Sequence, residues 1–145
     1  MVNFNKKNIS KKTKIIYWVS TGLLALFILP GIFFMNSEMA LEGTKHLGLP
    51  NWLHAEVGIG QFIGGLILII PIICARIKEW AYVGVGIVYL SALVAHLSVD
   101  GFIAMSFMPL VFFVLLIISY VYFRKIYYPK QENNYNKSLM AKEIL

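Results

Sequence analysis

The sequence has few charged residues and almost no cysteine. Only 14% of its 145 residues are Asp, Glu, Lys or Arg, whereas an average soluble domain has about 25%. Apolar residues make up 59% of the chain, against about 45 to 50% in a soluble domain. These proportions exclude an ordinary soluble globular protein. The single cysteine, Cys74, excludes an internal disulfide and a Cys-x-x-Cys redox centre in this chain.

Four long segments contain no charged residue at all. They cover residues 15–37, 57–75, 80–99 and 101–123. A helix of about 20 residues, with a rise of about 1.5 Å per residue, crosses a hydrocarbon core of about 30 Å. The sequence therefore predicts an all-α fold, an integral membrane antiparallel four-helix bundle. The four helices are predicted near 15–35, 53–75, 79–98 and 102–124.

The residues outside these helices are too few for a second domain with its own core. The predicted organisation is a basic N-terminal segment at 1–13, a four-helix membrane domain at 14–124 and a polar tail at 125–145. The link at 36–51 is long enough for one short interfacial helix. No Walker loop, Gly-x-Ser-x-Gly elbow or dinucleotide fingerprint occurs in the sequence. The sequence therefore does not establish whether the protein is an enzyme.

The basic residues lie beside the apolar segments and are not interleaved with aromatic residues, so we expect no binding of nucleic acid. All of the 13 Lys and Arg residues except Lys45 lie within or directly next to the N-terminal segment, in the link at 76–78, or within or directly next to the C-terminal tail. Cytoplasmic loops of membrane proteins are rich in Lys and Arg. The sequence therefore predicts a multi-pass protein of a prokaryotic cytoplasmic membrane, with both termini in the cytoplasm.

A few polar residues fall inside the predicted helices, where an unpaired polar group costs several kcal/mol. Tyr82, Tyr89 and His96 recur every seven residues, which places them on one stripe of the third helix. Asp100 extends this stripe by one turn. Depth along the antiparallel helices places other polar side chains in the same outer layer. The predicted polar pocket consists of Glu56, Gln61, Tyr82, Tyr89, His96, Asp100 and Ser106.

Two interpretations of this polar layer stay open. In the first, His96 and Glu56 exchange protons or bind a polar head group, because histidine changes charge near neutral pH. In the second, which the sequence favours, the same groups only hydrogen-bond helices together or mark helix ends. Gly60 and Gly64 are small residues at a spacing that lets another helix approach closely. We expect no metal site, because His54-x-Glu56 places its side chains about 200° apart on a helix.

Several motifs follow one another in a specific order and spacing. They are Lys14-Ile-Ile-Tyr17 with Ser20-Thr-Gly-Leu-Leu24, Lys45-His-Leu-Gly-Leu-Pro50, the helix from Gly58 to Pro71, Arg76-x-Lys-Glu-Trp-Ala-Tyr-x-Gly84, and Ser91-Ala-x-x-Ala-His96-Leu. From about Lys14 to Phe123, the chain resembles the DoxX-like family of small four-helix membrane proteins. Many relatives have a lysine where Gln61 stands and a Gly-Asp order where Asp100 and Gly101 stand.

This resemblance implies two main hypotheses of function. Some relatives are described as membrane partners of redox enzymes with quinone as the suspected acceptor, and others look like assembly factors. The first hypothesis is a quinone-facing or redox-accessory subunit whose Tyr82, Tyr89 and His96 stripe borders a lipid-soluble ligand. The second is a non-enzymatic membrane binding or assembly (chaperone-like) module. A third hypothesis, a small transporter, has weaker support, because no inverted repeat is evident in the sequence. The expected partners are the lipid bilayer and a membrane or membrane-associated redox protein, and a homo-oligomer stays open.

Overall fold

The computed structural model describes residues 9–128, which form five α-helices and one short 3₁₀ helix. The helices are α1 (Lys11–Phe34), α2 (Glu38–His46), α3 (Asn51–Ile69), α4 (Ala75–Val99) and α5 (Met108–Tyr127), with the 3₁₀ helix at Ala104–Phe107. No strand occurs in this part of the chain. Helices α1, α3 and α4, and α5 together with the 3₁₀ helix, are long and apolar enough to cross a membrane. The predicted all-α membrane bundle is confirmed, and α2 is the short helix expected in the 36–51 link.

The four long helices pack in the order in which they occur in the chain. Helix α1 packs against α3 and α5, and α4 also packs against α3 and α5, so the four helices form a closed ring. Helix α2 lies against α3 at one end of the bundle. We call this end the loop end, because it also holds the connection from α4 to α5. The opposite end, where α1 begins and α5 ends, is the terminal end.

Helix α3 ends earlier than the sequence predicts. The apolar segment continues to residue 75, but the helix ends at Ile69, and α4 begins at Ala75 instead of near 79. A proline disfavours helical backbone at the residue before it. Ile70 precedes Pro71 and is extended, with φ −73° and ψ 117°. The boundary prediction was therefore wrong, and the basic residues assigned to the link lie in the first turn of α4.

The outer helices extend past the limits predicted for the membrane domain. Helix α1 begins at Lys11 and α5 reaches Tyr127, whereas the sequence places the domain at 14–124. The rest of the predicted terminal segments, residues 1–8 and 129–145, lies outside the described residues.

The bundle has a partly polar core and an apolar surface. Its buried polar side chains are Ser20, Thr21, Thr44, Lys78, Ser106 and Ser119. In residues 9–128, every buried side-chain nitrogen or oxygen has a hydrogen-bond partner. Large apolar side chains cover much of the exterior, and Trp80 is 74% exposed. This surface is the one that a lipid bilayer covers.

Candidate functional site

A groove between α3 and α4 contains two of the predicted polar residues. Its volume is about 490 Å³, within the range of about 300 to 1,000 Å³ that is typical of ligand sites. Glu56 lines its part nearer the loop end and Gln61 lines it near the middle of α3, while apolar side chains such as Ile67 and Trp80 line its part nearer the terminal end. Ile63 and Trp80, which form its walls, are half or more exposed. The groove therefore opens on the lipid-facing surface.

The glycines along this groove have two different surroundings. A Cβ atom on Gly60 or Gly84 would meet nothing within 4 Å, so these two glycines widen the groove. A Cβ atom on Gly64 would lie 2.7 Å from Cγ2 of Val85. Gly64 is therefore the position at which α3 and α4 approach closely, while Gly60 is exposed.

Tyr82 and Tyr89 pack against α5 instead of lining this groove. The Tyr82 hydroxyl lies 2.7 Å from Oγ of Ser119, and the Tyr89 ring stacks on the Phe112 ring with 5.8 Å between centroids. Tyr82 also borders a second groove of about 280 Å³ between α4 and α5. The α4 residues that line the first groove lie about 120° around the helix from the tyrosine stripe, by helical geometry.

His96 does not line the groove and is bound to Asp100. Its Nδ1 lies 2.8 Å from Oδ2 of Asp100, and Nε2 of His46 lies 2.5 Å from Oδ1 of the same carboxylate. Hydrogen bonds from His46 and then from His96 hold the pKa of the Asp100 carboxyl below its usual value. The structure therefore does not bring His96 to Glu56 or Gln61. It adds His46, which sequence analysis did not include in the candidate site.

His54 joins α3 to α2 and to the end of α1. Its Nε2 lies 2.8 Å from the Met35 carbonyl oxygen, and its Nδ1 lies 2.7 Å from Oγ1 of Thr44. The Thr44 hydroxyl also has the Ala40 carbonyl oxygen as an acceptor, at 2.9 Å. Thr44 is buried. These contacts were missed because they depend on how the α1–α2 link folds back over α3.

Ser106 stabilises the connection between α4 and α5 by a hydrogen bond within it. Its hydroxyl donates to the Gly101 carbonyl oxygen at 2.8 Å, and the side chain is fully buried in the 3₁₀ helix. Gly101 has a φ of 72°, a conformation that glycine adopts without a steric cost. Because a serine hydroxyl has one proton, Ser106 has no further hydrogen bond to donate.

Lys78 is the buried ionisable residue that sequence analysis did not select. It was assigned to the basic link, but its side chain is 0% exposed. Its Nζ donates to the Leu68 carbonyl oxygen at 3.0 Å and to the Tyr17 hydroxyl at 3.3 Å, and lies 5.7 Å from the Tyr127 ring centroid. The Leu68 carbonyl is in the last turn of α3, where the carbonyl oxygens have no N–H donor within the helix. Lys78 therefore caps the C-terminus of α3.

A second set of hydrogen bonds lies beside Lys78. Oγ of Ser119 is 2.7 Å from Oγ1 of Thr21, and is the same atom that Tyr82 contacts. We call Tyr17, Thr21, Lys78, Tyr82 and Ser119 the terminal-end cluster. It joins α1, α4 and α5 directly and α3 through its Leu68 carbonyl. The available sequence signal was Pro71, which predicts the end of α3, with Lys78 seven residues further on, because basic side chains often bind the last carbonyls of a helix.

Metal ligands are not grouped in the described part of the chain. Within residues 9–128, no three or more His, Cys, Asp or Glu side chains are placed so that they could hold a metal ion. Cys74 is exposed at the start of α4 and forms no disulfide.

The fold and the groove define a small helical integral membrane protein with a cleft on its lipid-facing side. The sequence matches the DoxX-like family over residues 19–119, which is well over half of the chain and includes all of α2, α3 and α4. The chain belongs to this family. A search of curated proteins and a search of solved structures each give no match.

Proposed function

We propose that the protein binds a lipid-soluble molecule of the quinone class in the α3–α4 groove and serves a redox enzyme as an accessory membrane subunit. The observation that supports this proposal is the composition of the groove. Its walls are apolar and open to lipid, and its two polar side chains, Glu56 and Gln61, are five residues apart on α3.

These two side chains complement both redox forms of a quinone head group. The Gln61 amide donates hydrogen bonds, so it suits a quinone carbonyl oxygen. An ionised Glu56 only accepts hydrogen bonds, so it suits the hydroxyl group of a reduced quinone. The remaining wall, which includes Ile63, Ile67 and Trp80, is apolar, so it suits an isoprenoid chain. In this role the protein holds the molecule, and its own residues carry out no chemical step.

We also propose that the protein lies in a prokaryotic cytoplasmic membrane with both termini in the cytoplasm. The support is the concentration of Lys and Arg in the segments next to the terminal end. The burial of Lys78 removes one residue from that argument, and the others remain. In this orientation the loop end faces outward, and Glu56 and Gln61 lie in the outer leaflet.

Labelling of single cysteines in spheroplasts should establish the orientation. A membrane-impermeant maleimide should label Asn36→Cys in a Cys74→Ser background, because residue 36 is exposed next to α2 at the loop end. The same reagent should not label wild-type Cys74, which is exposed at the terminal end. Both proteins should react after detergent lysis, which is the control for reactivity. Labelling of Cys74 alone in intact spheroplasts would reverse the proposed orientation.

Filling the groove should remove the bound molecule. A leucine at Gly84 has open space in front of it, so Gly84→Leu should occupy the groove without displacing a helix. Mass spectrometry of lipid-soluble compounds extracted from the purified protein should detect quinone in the wild type. It should detect at least about tenfold less in the variant, which corresponds to about 1.4 kcal/mol of binding free energy.

Gly31→Leu is the matched control. Gly31 is exposed on α1 and also has open space around its Cβ position, but it is outside the groove. This variant should retain as much quinone as the wild type, and both variants should keep the melting temperature within about 3 °C. Equal quinone retention by the wild type and by Gly84→Leu would contradict binding in the groove.

A second candidate function is supported by the same two open glycines. Small residues let a helix of another membrane protein approach closely, and Gly60 and Gly84 both face open space in the groove. In that case the protein is a non-enzymatic assembly module. A copurifying membrane protein that is lost in Gly84→Leu, together with no retained quinone in the wild type, would favour this function over the first.

A further inference from the structure

All three histidines of the chain lie at the loop end, and two of them, His46 and His54, connect α2 to its surroundings. His46 belongs to α2 and binds Asp100, the residue that follows α4. His54 belongs to α3 and binds Thr44 of α2. His96 belongs to α4 and binds the second oxygen of Asp100. Hydrogen bonds of His54 and His46 therefore connect α2 to α3 and to the end of α4.

Apolar packing contributes little to the docking of α2. Thr44 is the one fully buried residue among the nine of this helix, and the helix is too short to be stable alone. The polar contacts of His46 and His54 therefore have a large share in holding α2 in place.

The Asp100 carboxylate binds an imidazolium more strongly than a neutral imidazole, because hydrogen bonds between two charged groups are the stronger kind. A carboxylate only accepts hydrogen bonds, so His46 donates from Nε2 and His96 donates from Nδ1. Asp100 stays ionised over the range in which histidines titrate, because its pKa is lowered by these same two side chains.

His54 gains one hydrogen bond when it is protonated. Its Nε2 must carry a proton, because the Met35 carbonyl only accepts. If His54 is neutral, Nδ1 accepts the single Thr44 hydroxyl proton, and Thr44 cannot then donate to Ala40. If His54 is protonated, Nδ1 donates to Thr44, whose own proton remains available for the Ala40 carbonyl at 2.9 Å. The observed set of three contacts is complete only in the protonated form.

We propose that α2 is a pH-responsive strap, which docks most firmly when His46 and His54 are protonated and loosens from the loop end as the pH rises. Since docking favours the protonated imidazoles, linkage requires its stability to be highest below the histidine range and to fall through that range. Docking weakens again only in acid strong enough to protonate Asp100. In the proposed orientation the strap responds to the pH outside the cell, and it does so whether or not the α3–α4 groove binds a ligand.

The other ionisable groups at this end do not compete for the histidines. They are Glu38, Glu42 and Lys45 on α2 and Glu56 on α3. Within residues 9–128, the acidic partner that His46 and His96 contact is Asp100. The adjoining end of α1, the 3₁₀ helix and the start of α5 contain no ionisable side chain.

Hydrogen–deuterium exchange of the full-length protein in lipid nanodiscs tests the strap directly. Exchange of the α2 peptide is compared at about pH 5.5 and about pH 8, on either side of the histidine range, with labelling times scaled for the intrinsic rates. Protection of α2 should fall about fivefold or more at the higher pH, as expected when a charge-assisted hydrogen bond becomes a neutral one. The α5 peptide, which contains no histidine, should keep its protection. Equal protection of α2 at both pH values would overturn the proposal.

Three variants assign the response to the residues named. Asp100→Asn removes the carboxylate, so α2 should lose protection at about pH 5.5 and respond less to pH. Glu42→Gln removes an exposed acid from the same helix and should keep the wild-type response. A full response in the triple variant His46→Gln/His54→Gln/His96→Gln would also overturn the proposal. The wild-type comparison decides the question by itself if a variant does not fold.

Discussion

Replacement of Lys78 by alanine should lower the free energy of unfolding by about 2 to 4 kcal/mol. The change removes a side chain with no exposed surface and leaves a cavity between α1, α3 and α5. It also leaves the Leu68 carbonyl and the Tyr17 hydroxyl without the donor they share. Reversible unfolding in mixed detergent micelles, followed by circular dichroism, measures this effect.

Two further variants separate the causes of that loss. Lys78→Met keeps most of the side-chain volume and avoids burial of a charge, which by itself is unfavourable. Its stability should therefore lie between those of the wild type and Lys78→Ala. Lys14→Ala removes an exposed lysine of α1 and should change stability by less than about 0.5 kcal/mol. Equal stability of Lys78→Ala and Lys14→Ala would contradict the buried cap.

Replacement of Gly64 by leucine should lower the free energy of unfolding by about 1 to 3 kcal/mol. Even the Cβ atom would lie 2.7 Å from Cγ2 of Val85. Val85 is buried in the bundle and has little room to move, so α3 and α4 would have to separate. The same unfolding measurement reports the change.

Gly60→Leu is the matched control on the same helix. Its Cβ would meet nothing within 4 Å, and leucine favours a helix over glycine by up to about 1 kcal/mol. This variant should be as stable as the wild type or slightly more stable. An equal loss of stability in Gly60→Leu and Gly64→Leu would contradict the open space at Gly60, because both glycines would then be positions of close helix packing.

The fold could be predicted from the sequence because four uncharged segments of spanning length allow few other structures. The end of α3 could not be placed by hydropathy, since residues on both sides of Pro71 are equally apolar. Backbone chemistry decides this boundary. Pro71 keeps Ile70 out of the helical conformation, so α3 ends at Ile69. Helix α4 then begins at Ala75, earlier than predicted.

The candidate site was predicted only in part, because helical period does not fix how a helix is rotated in the bundle. The seven-residue spacing correctly groups Tyr82 and Tyr89 on one face. That face turns to α5, so the tyrosines are separated from Glu56 and Gln61. Whether any of these residues has a functional role stays a prediction.

Contacts between distant parts of the chain were the least predictable. The sequence alone indicates that Lys78 is an exposed charge in a cytoplasmic link. In the structure its Nζ donates to the hydroxyl of Tyr17, which is 61 residues earlier in the chain. His46 and Asp100 are 54 residues apart, and their meeting depends on the path of the α1–α2 link. A single sequence contains no signal for either pairing.

The closed ring of helices determines when the protein can be completed during synthesis. Helix α5 leaves the ribosome last, and it fills the position between α1 and α4. Until it arrives, Thr21 and Tyr82 lack the Ser119 hydroxyl that they share. A three-helix nascent chain therefore holds two hydroxyl groups inside the membrane without the partner that they share in the complete bundle.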